Sequence, residues 1–209
     1  MKFYDCATAP SPRRVRIFFA EKGIAMPTVQ VNLRDGEQFS AAFRAVNPDA
    51  TVPVLQLDSG RCLTDIIGIW RYVEETHPAP ALMGIDAEDK AIVEMRQRWC
   101  EREGFYAAMD AFRNATPGLK GRGLPGPADY EQIPALAERG RARLGSFFRR
   151  LDEWLAGSEF VAGPRYSVAD ITALVSIDFA GWRKLKPPEE LGHLRRWYAA
   201  VSARPSAAA

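Results

Sequence analysis

A proline inside a strand-like run, and a carboxylate at a helix start a short way downstream, are the residues best placed to grip a ligand. Asn47-Pro48-Asp49-Ala50-Thr51-Val52-Pro53-Val54-Leu55 reads as extended chain, yet Pro53 removes a ladder hydrogen bond from it. The expectation is a bend before Pro53, through a cis bond, that turns the Val52 N–H and C=O outward. Backbone groups so turned can pair with a second extended backbone, as an added strand would. Cys62-Leu63-Thr64-Asp65 then leads into Ile66-Ile67-Gly68-Ile69-Trp70, which sets a carboxylate at a helix N-terminus near the bend. An extended ligand with a peptide backbone and an amino group at one end suits that pair. Such a ligand is a small peptide.

Other polar residues read first as structure. Ser11 before Pro12 is a good N-cap for a helix carrying Val15, Phe18 and Phe19 and closing at Lys22-Gly23. Ser167-Val168-Ala169-Asp170 is a capping box in its Asp form, the hydroxyl on the Asp170 N–H and the carboxylate on the Ser167 N–H. Tyr166 and Ile171 stand at the staple positions, so Asp170 is a folding residue. Cys6, Cys62 and Cys100 are odd in number and scattered, with neither metal spacing nor a disulfide framework.

The elements that position these residues fall into two halves. Lys2-Phe3-Tyr4 and Thr28 to Asn32 read as strands, Glu37 to Ala45 as a short helical stretch, and Val52 to Leu57 with Arg61-Cys62-Leu63 as a hairpin. Asp65 to Glu75 is a helix with Ile66, Ile69, Trp70 and Val73 on one face. The order β-α-β-α-β-β-α, with one crossover and one hairpin, predicts a mixed sheet with helices against it. His77-Pro78-Ala79-Pro80 is a linker, and beyond it the pattern is helical throughout. Asp86 caps a long helix reaching about Asn114, a Gly/Pro-rich loop spans Gly118 to Pro127, and a second long helix runs from Ala128 to Leu155. The Arg- and Glu-rich faces of both are solvated surface.

Composition narrows the function. A net charge of +2 gives no basis for binding nucleic acid or an anionic membrane. No apolar run approaches ~20 residues and no charged-then-apolar leader opens the chain, so a soluble, cytoplasmic protein is expected.

Together these residues resemble the glutathione transferase family. The resemblance rests on Val52-Pro53 after the third helix-strand step, the acidic residue opening the next helix, and the all-helical second half with its Ser-x-x-Asp box. It extends from Lys2 to Arg204-Pro205-Ser206. Tyr4-Asp5, Pro10-Ser11-Pro12-Arg13-Arg14-Val15-Arg16-Ile17, Ala115-Thr116-Pro117-Gly118-Leu119, Phe160-Val161-Ala162-Gly163, Pro187-Pro188-Glu189-Glu190 and Leu194-Arg195-Arg196-Trp197-Tyr198 are similar to a fungal and bacterial subgroup lacking the usual catalytic Ser, Cys or Tyr. The resemblance implies a thioredoxin-like glutathione-binding domain over 1–78 and an all-helical C-terminal domain over 84–209. It implies that Val52, before the cis Pro53, pairs with the cysteinyl part of glutathione, and that Asp65 meets the γ-glutamyl amino group. Ile66 replaces a hydroxyl residue and leaves only its N–H for the γ-glutamyl carboxylate. Gln38 approaches the glycine carboxylate, and Thr51 stands where many relatives have Lys.

The family activates the glutathione thiol with a hydrogen bond to the thiolate from a Ser, Cys or Tyr near the first strand and helix. Alignment places Ala9 at the usual Ser position and Pro10 at the usual Cys position, neither of which can stabilise a thiolate. Ser11 is the catalytic candidate, with Tyr4 too early in the first strand and Cys6 better explained by packing. The subgroup implies activation by the positive end of the first helix, backbone N–H groups and water, with the N–H groups of Ser11, Arg13 and Arg14 as the donors here. The electrophile is expected between the domains, where Phe105, Tyr106, Met109, Arg113 and Asn114 recur at helical steps; Tyr106 and Arg113 are its polar candidates. The implied activity is conjugation of the thiolate to hydrophobic electrophiles (EC 2.5.1.18-like), a detoxification reaction, in a homodimer without a metal. The alternatives are another glutathione-dependent enzyme (isomerase, dehalogenase, lyase or peroxidase) and a non-catalytic glutathione-binding or interaction protein on the same fold.

Overall fold

The computed structural model describes residues 1–209. Its contacts divide the chain into two compact units: Met1–Pro80 with Leu124–Asp129 and Ala209, and Ala81–Gly123 with Tyr130–Ala208.

The first unit is the mixed sheet with helices against it. Its elements are β1 (Lys2–Asp5), α1 (Pro10–Glu21), β2 (Thr28–Gln30), a 3-10 turn (Glu37–Phe39), α2 (Ala41–Val46), β3 (Val54–Gln56), β4 (Cys62–Leu63) and α3 (Ile66–Thr76). Strand order is β2-β1-β3-β4, with β1 parallel to β2 and antiparallel to β3, and β3 antiparallel to β4. Phe18 of α1 stacks on Trp70 of α3 at 5.8 Å between ring centroids, and Phe3 meets Phe19 edge-on at 5.2 Å. All four rings are buried, each contributing roughly 1.5–3 kcal/mol of hydrophobic stabilisation. At the far end of this packing Lys22 pairs with Glu74 at 2.6 Å and donates to the carbonyls of His77 and Pro80 at 2.7 and 2.6 Å. A buried ammonium is tolerated there because a carboxylate balances its charge and two carbonyls accept from it.

Three local expectations give way to side-chain chemistry. The paired part of β2 stops at Gln30 rather than Asn32, because the Asn32 Oδ1 accepts from the Arg34 and Asp35 N–H groups and turns the chain. The helical stretch from Glu37 is broken at Ser40, whose hydroxyl caps α2 by accepting from the Phe43 N–H at 3.1 Å. Ser11 is not an N-cap: α1 starts two residues earlier than expected, at Pro10 rather than Pro12, and its N-cap is Ala9 without a side-chain bond. Proline at the first helical position fixes a helical φ and needs no partner for an N–H, so Pro10 sets the start ahead of Ser11.

The second unit is helical: α4 (Ala87–Cys100), a π turn (Glu101–Phe105), α5 (Tyr106–Arg113), α6 (Pro134–Ala156), α7 (Val168–Gly181) and α8 (Gly192–Ser202). Asp86 caps α4 as expected, accepting from the Asp89 N–H at 2.9 Å. Every residue from Val168 to Ile177 is buried, the signature of a helix surrounded by others. The capping box at its start is present, with Asp170 accepting from the Ser167 N–H at 3.0 Å. The same carboxylate also accepts from Val161 N–H and Trp197 Nε1 at 2.9 and 2.8 Å, so it ties three segments together. Helix α6 begins at Pro134 instead of Ala128. The preceding residues are held out of a helix by Gln132, which donates to the carbonyls of Arg113 and Thr116, and by the Ile133 N–H on Asn114 Oδ1.

Candidate functional site

Strand register gathers the predicted binding residues of the first unit at one end of its sheet. Tyr4 faces Val54 across the antiparallel β1/β3 pair, so Pro53 and Val52 continue towards the chain leaving β1, the loop 6–9 and the start of α1. Leu63 faces Leu55 across β3/β4, so Thr64 and Asp65 emerge at that same end. The chain leaving β2, which carries Gln38, exits there too, since β2 runs parallel to β1.

The bend is built as the sequence suggests. Val52-Pro53 is cis, β3 begins only at Val54, and neither the N–H nor the C=O of Val52 is used within the chain. Proline therefore sits just outside the ladder, where its missing N–H does no harm. Ala50 takes the left-handed conformation at φ 51°, which costs a residue with a Cβ roughly 1–2 kcal/mol. Asn47 holds it there. Fully buried, Asn47 donates to the Thr51 carbonyl and hydroxyl at 2.8 and 3.1 Å and accepts from the Asp49 N–H at 3.1 Å. Reading for ligand-binding residues passed over Asn47; the Asn-Pro-Asp run, with its turn chemistry, was the available signal. Thr51 is consequently engaged in the bend itself.

Asp65 is exposed and caps α3, its Oδ1 accepting from the Gly68 N–H at 3.1 Å. One oxygen serves the helix; the other carries no bond within the chain. Ile66 is buried, so its side chain belongs to the core while its N–H lies in the open first turn of α3. Gln38 lies in the 3-10 turn with its Oε1 buried and without a hydrogen-bond partner.

At the start of α1 the donors are fewer than expected. Pro10 and Pro12 have no N–H, and the Arg13 N–H returns to the Ala9 carbonyl at 3.4 Å as the first helical bond. Ser11 is left with the open N–H of that turn, together with a hydroxyl not engaged in capping. Tyr4 lies in β1 with its ring edge-on to Phe43 and its hydroxyl 3.4 Å from Gln56 Oε1. The thiol of buried Cys6 lies 3.5 Å from the Thr8 hydroxyl.

In the second unit, Tyr106 opens α5 and is exposed, whereas Arg113 closes it half-buried, and burial lowers the guanidinium pKa from its usual value. Phe105 is buried against Phe179, and Asn114 is buried in holding the Ile133 N–H, so the candidates do not share one open face. The π turn shifts the helical phase at Phe105. A ring the sequence reading missed is Trp182, half-exposed beyond α7. It touches both Phe112 and Phe179, at 5.3 and 5.0 Å. Tyr106, Phe105, Phe179, Phe112 and Trp182 form one continuous aromatic chain.

The family models for the N-terminal and C-terminal domains of glutathione S-transferase match residues 8–76 and 111–205. The chain belongs to the glutathione S-transferase family. Glutathione S-transferase 2 of Saccharomyces cerevisiae is 35% identical over 209 residues, covering 99% of this chain and 87% of the yeast protein. The crystal structure of Gtt2 from that yeast superposes with a TM-score of 0.90 at 34% identity, covering 99% and 98% of the two chains. A glutathione S-transferase domain-containing protein of Marinobacter aquaeolei gives 0.91 at 39% identity, covering 99% of both. A maleylacetoacetate isomerase of Pseudomonas aeruginosa is 43% identical over 88 residues, 41% of this chain and 42% of its own. In this glutathione S-transferase, Val52, Asp65 and Ser11 come to one sheet end from the bend before β3, the head of α3 and the first turn of α1.

Proposed function

We propose that this glutathione S-transferase conjugates glutathione to hydrophobic electrophiles. The observation that carries the reading is the unused peptide edge of Val52 at the same sheet end as Asp65 and the first turn of α1. In this reading Val52 pairs with the cysteinyl backbone, Asp65 holds the γ-glutamyl ammonium through its uncommitted oxygen, and the Ile66 N–H meets the γ-glutamyl carboxylate. Gln38 and Thr51 flank the glycine end. The thiol gives its proton to solvent, and the thiolate is held by the N–H of Ser11, its hydroxyl and the helix dipole. Its sulfur then bonds to the electrophilic carbon, and a leaving group such as halide departs with the bonding electrons.

Residues 1–78 serve glutathione in this scheme and residues 84–209 the electrophile. The exposed rings of Tyr106 and Trp182 favour an aromatic or otherwise flat apolar partner, with Arg113 as the nearby cation on α5. Exposed Met95 and the ring cluster of Trp99, Phe147 and Trp154 on α4 and α6 suit a homodimer, which sedimentation would measure. Three free cysteines fit a reducing, cytoplasmic setting.

The test is thiolate absorbance of bound glutathione against pH, with turnover of an aryl halide. A bound thiol well below the free value of about 8.5, with conjugate formed, is the expected result. Loss of the lowered pKa in Ser11→Ala would assign it to the hydroxyl, and persistence to the backbone. Isomerisation is the second reading, favoured by the local match to the isomerase. Turnover of a cis-configured maleyl compound without thioether product would select it, and retention on immobilised glutathione without any turnover would select a binding protein.

A further inference from the structure

A polar cluster beside α1, built on the buried Asp5 with half-buried Arg16 and exposed Gln30, clamps the loop that leads into it. Asp5, at the end of β1 and 1% exposed, accepts from Arg16 Nη1 at 2.6 Å and from Gln30 Nε2 at 2.7 Å. Arg16 also donates to the carbonyls of Cys6 and Ala7, at 3.3 and 3.0 Å. Gln30 accepts from the Ala7 N–H at 2.9 Å. The Cys6 carbonyl takes a further bond from the Ala9 N–H at 2.9 Å. Residues from β1, α1 and β2 thus fix both backbone groups of Ala7, although Ala7 and Thr8 themselves are exposed.

We propose that Arg16 and Gln30, acting through Asp5 and the Cys6–Ala9 backbone, are positioning residues for thiolate formation. The inference rests on the reading that the thiol lies at the start of α1. Pro10 and Pro12 leave Ser11 with the open N–H there, so one residue must be aimed well. Hydrogen bonds weaken steeply with misalignment, and a site needs its donors held to within roughly 0.5 Å. Nothing in the loop's own composition imposes that: residues 6–9 are Cys-Ala-Thr-Ala, with neither glycine nor proline. The clamp supplies the constraint. Arg16 suits the task because its planar fork holds its donors in a fixed geometry towards a carboxylate and two carbonyls, whereas an ammonium on a flexible stem sets no such orientation.

The experiment compares the wild type with Arg16→Met, Arg16→Lys and Gln30→Ala in three measurements: the pKa of bound glutathione thiol, the pH profile of kcat/KM, and the Kd of S-methylglutathione, which has no thiol to ionise. Arg16→Met and Gln30→Ala are expected to raise the bound thiol pKa by about 1 and to lower kcat/KM about tenfold at pH values below both pKa values. That deficit closes above the new pKa, while S-methylglutathione binds within about twofold of wild type. Arg16→Lys falls between. An unchanged thiol pKa in both variants, or a parallel loss of S-methylglutathione affinity, overturns the proposal in favour of a purely structural brace. A wild-type bound thiol titrating at the free value instead overturns the underlying reading, and this one with it.

Discussion

Asn47 and Thr51 are joined twice, through the carbonyl and through the hydroxyl of Thr51, and this pair shapes the bend that exposes Val52. Removing the amide in Asn47→Ala takes a partner each from the Thr51 carbonyl and the Asp49 N–H, leaves a gap at a buried position and frees Ala50 from its left-handed turn. The expected loss is about 2–4 kcal/mol in chemical denaturation. Glutathione affinity, read by calorimetry on the fraction still folded, is expected to fall at least about fivefold. Unchanged affinity would separate the bend from the ligand.

Asp65 has two tasks that one substitution can divide. Asparagine caps a helix about as well as aspartate, so Asp65→Asn should stay within ~0.5 kcal/mol of wild type in stability. Its neutral amide cannot hold an ammonium as a carboxylate does, and the Kd for glutathione is expected to rise about tenfold. Asp65→Ala should lose both. Equal glutathione binding by wild type and Asp65→Asn would remove the γ-glutamyl role.

Lys22 and Glu74 form a nearly dry ion pair, with side-chain exposures of 0% and 8%. Lys22→Met takes the ammonium from the buried Glu74 carboxylate and also removes donors from the His77 and Pro80 carbonyls. A loss of about 3–5 kcal/mol is expected by denaturation. Lys22→Met with Glu74→Leu should recover part of it, because the buried carboxylate goes with its counter-charge while the carbonyls stay unmet.

Asp170 predicts a pH dependence. Burial raises its carboxyl from 3.8 to about 6, with bonds from Val161, Trp197 and Ser167 pulling the other way. Between those values the folded chain holds a proton that the unfolded chain releases, so this group favours folding more as pH falls. Its contribution should change by roughly 3 kcal/mol in all, present below about pH 4 and lost as pH rises through about 6. Stability curves for wild type and Asp170→Asn at pH 4 and pH 7.5 isolate it: their difference must shift by that order. At either pH, Asp170→Ala strands the buried Val161, Ser167 and Trp197 donors and should cost at least ~3 kcal/mol.

Much of the fold was legible because the decisive signals were local. Alternation and turn residues marked the strands, Asp86 and the Ser167–Asp170 box marked helix starts, and Pro53 in a β-branched run marked the bend. Misses occurred where a side chain competed with the backbone. Asn32 stopped a strand, Ser40 split a helix, and Pro10 outranked Ser11 at the start of α1. Gln132 and Asn114, distant from one another in sequence, kept the segment before Pro134 out of a helix.

By itself the sequence determined which residue types were available: a proline before Val54, a carboxylate at the head of α3, and a serine between two prolines near the first helix. Only the tertiary structure decided where those residues meet. Register across β1, β3 and β4 brought Val52, Asp65 and Ser11 to one sheet end, and two prolines with the Arg13 bond reduced the donors there to those of Ser11. Asp5, Arg16 and Gln30, plain surface or strand residues when read along the chain, became a clamp because three elements converge on one loop. Local pattern fixes an element's type, but hydrogen-bond partners separated by tens of residues exist only once the chain has closed on itself.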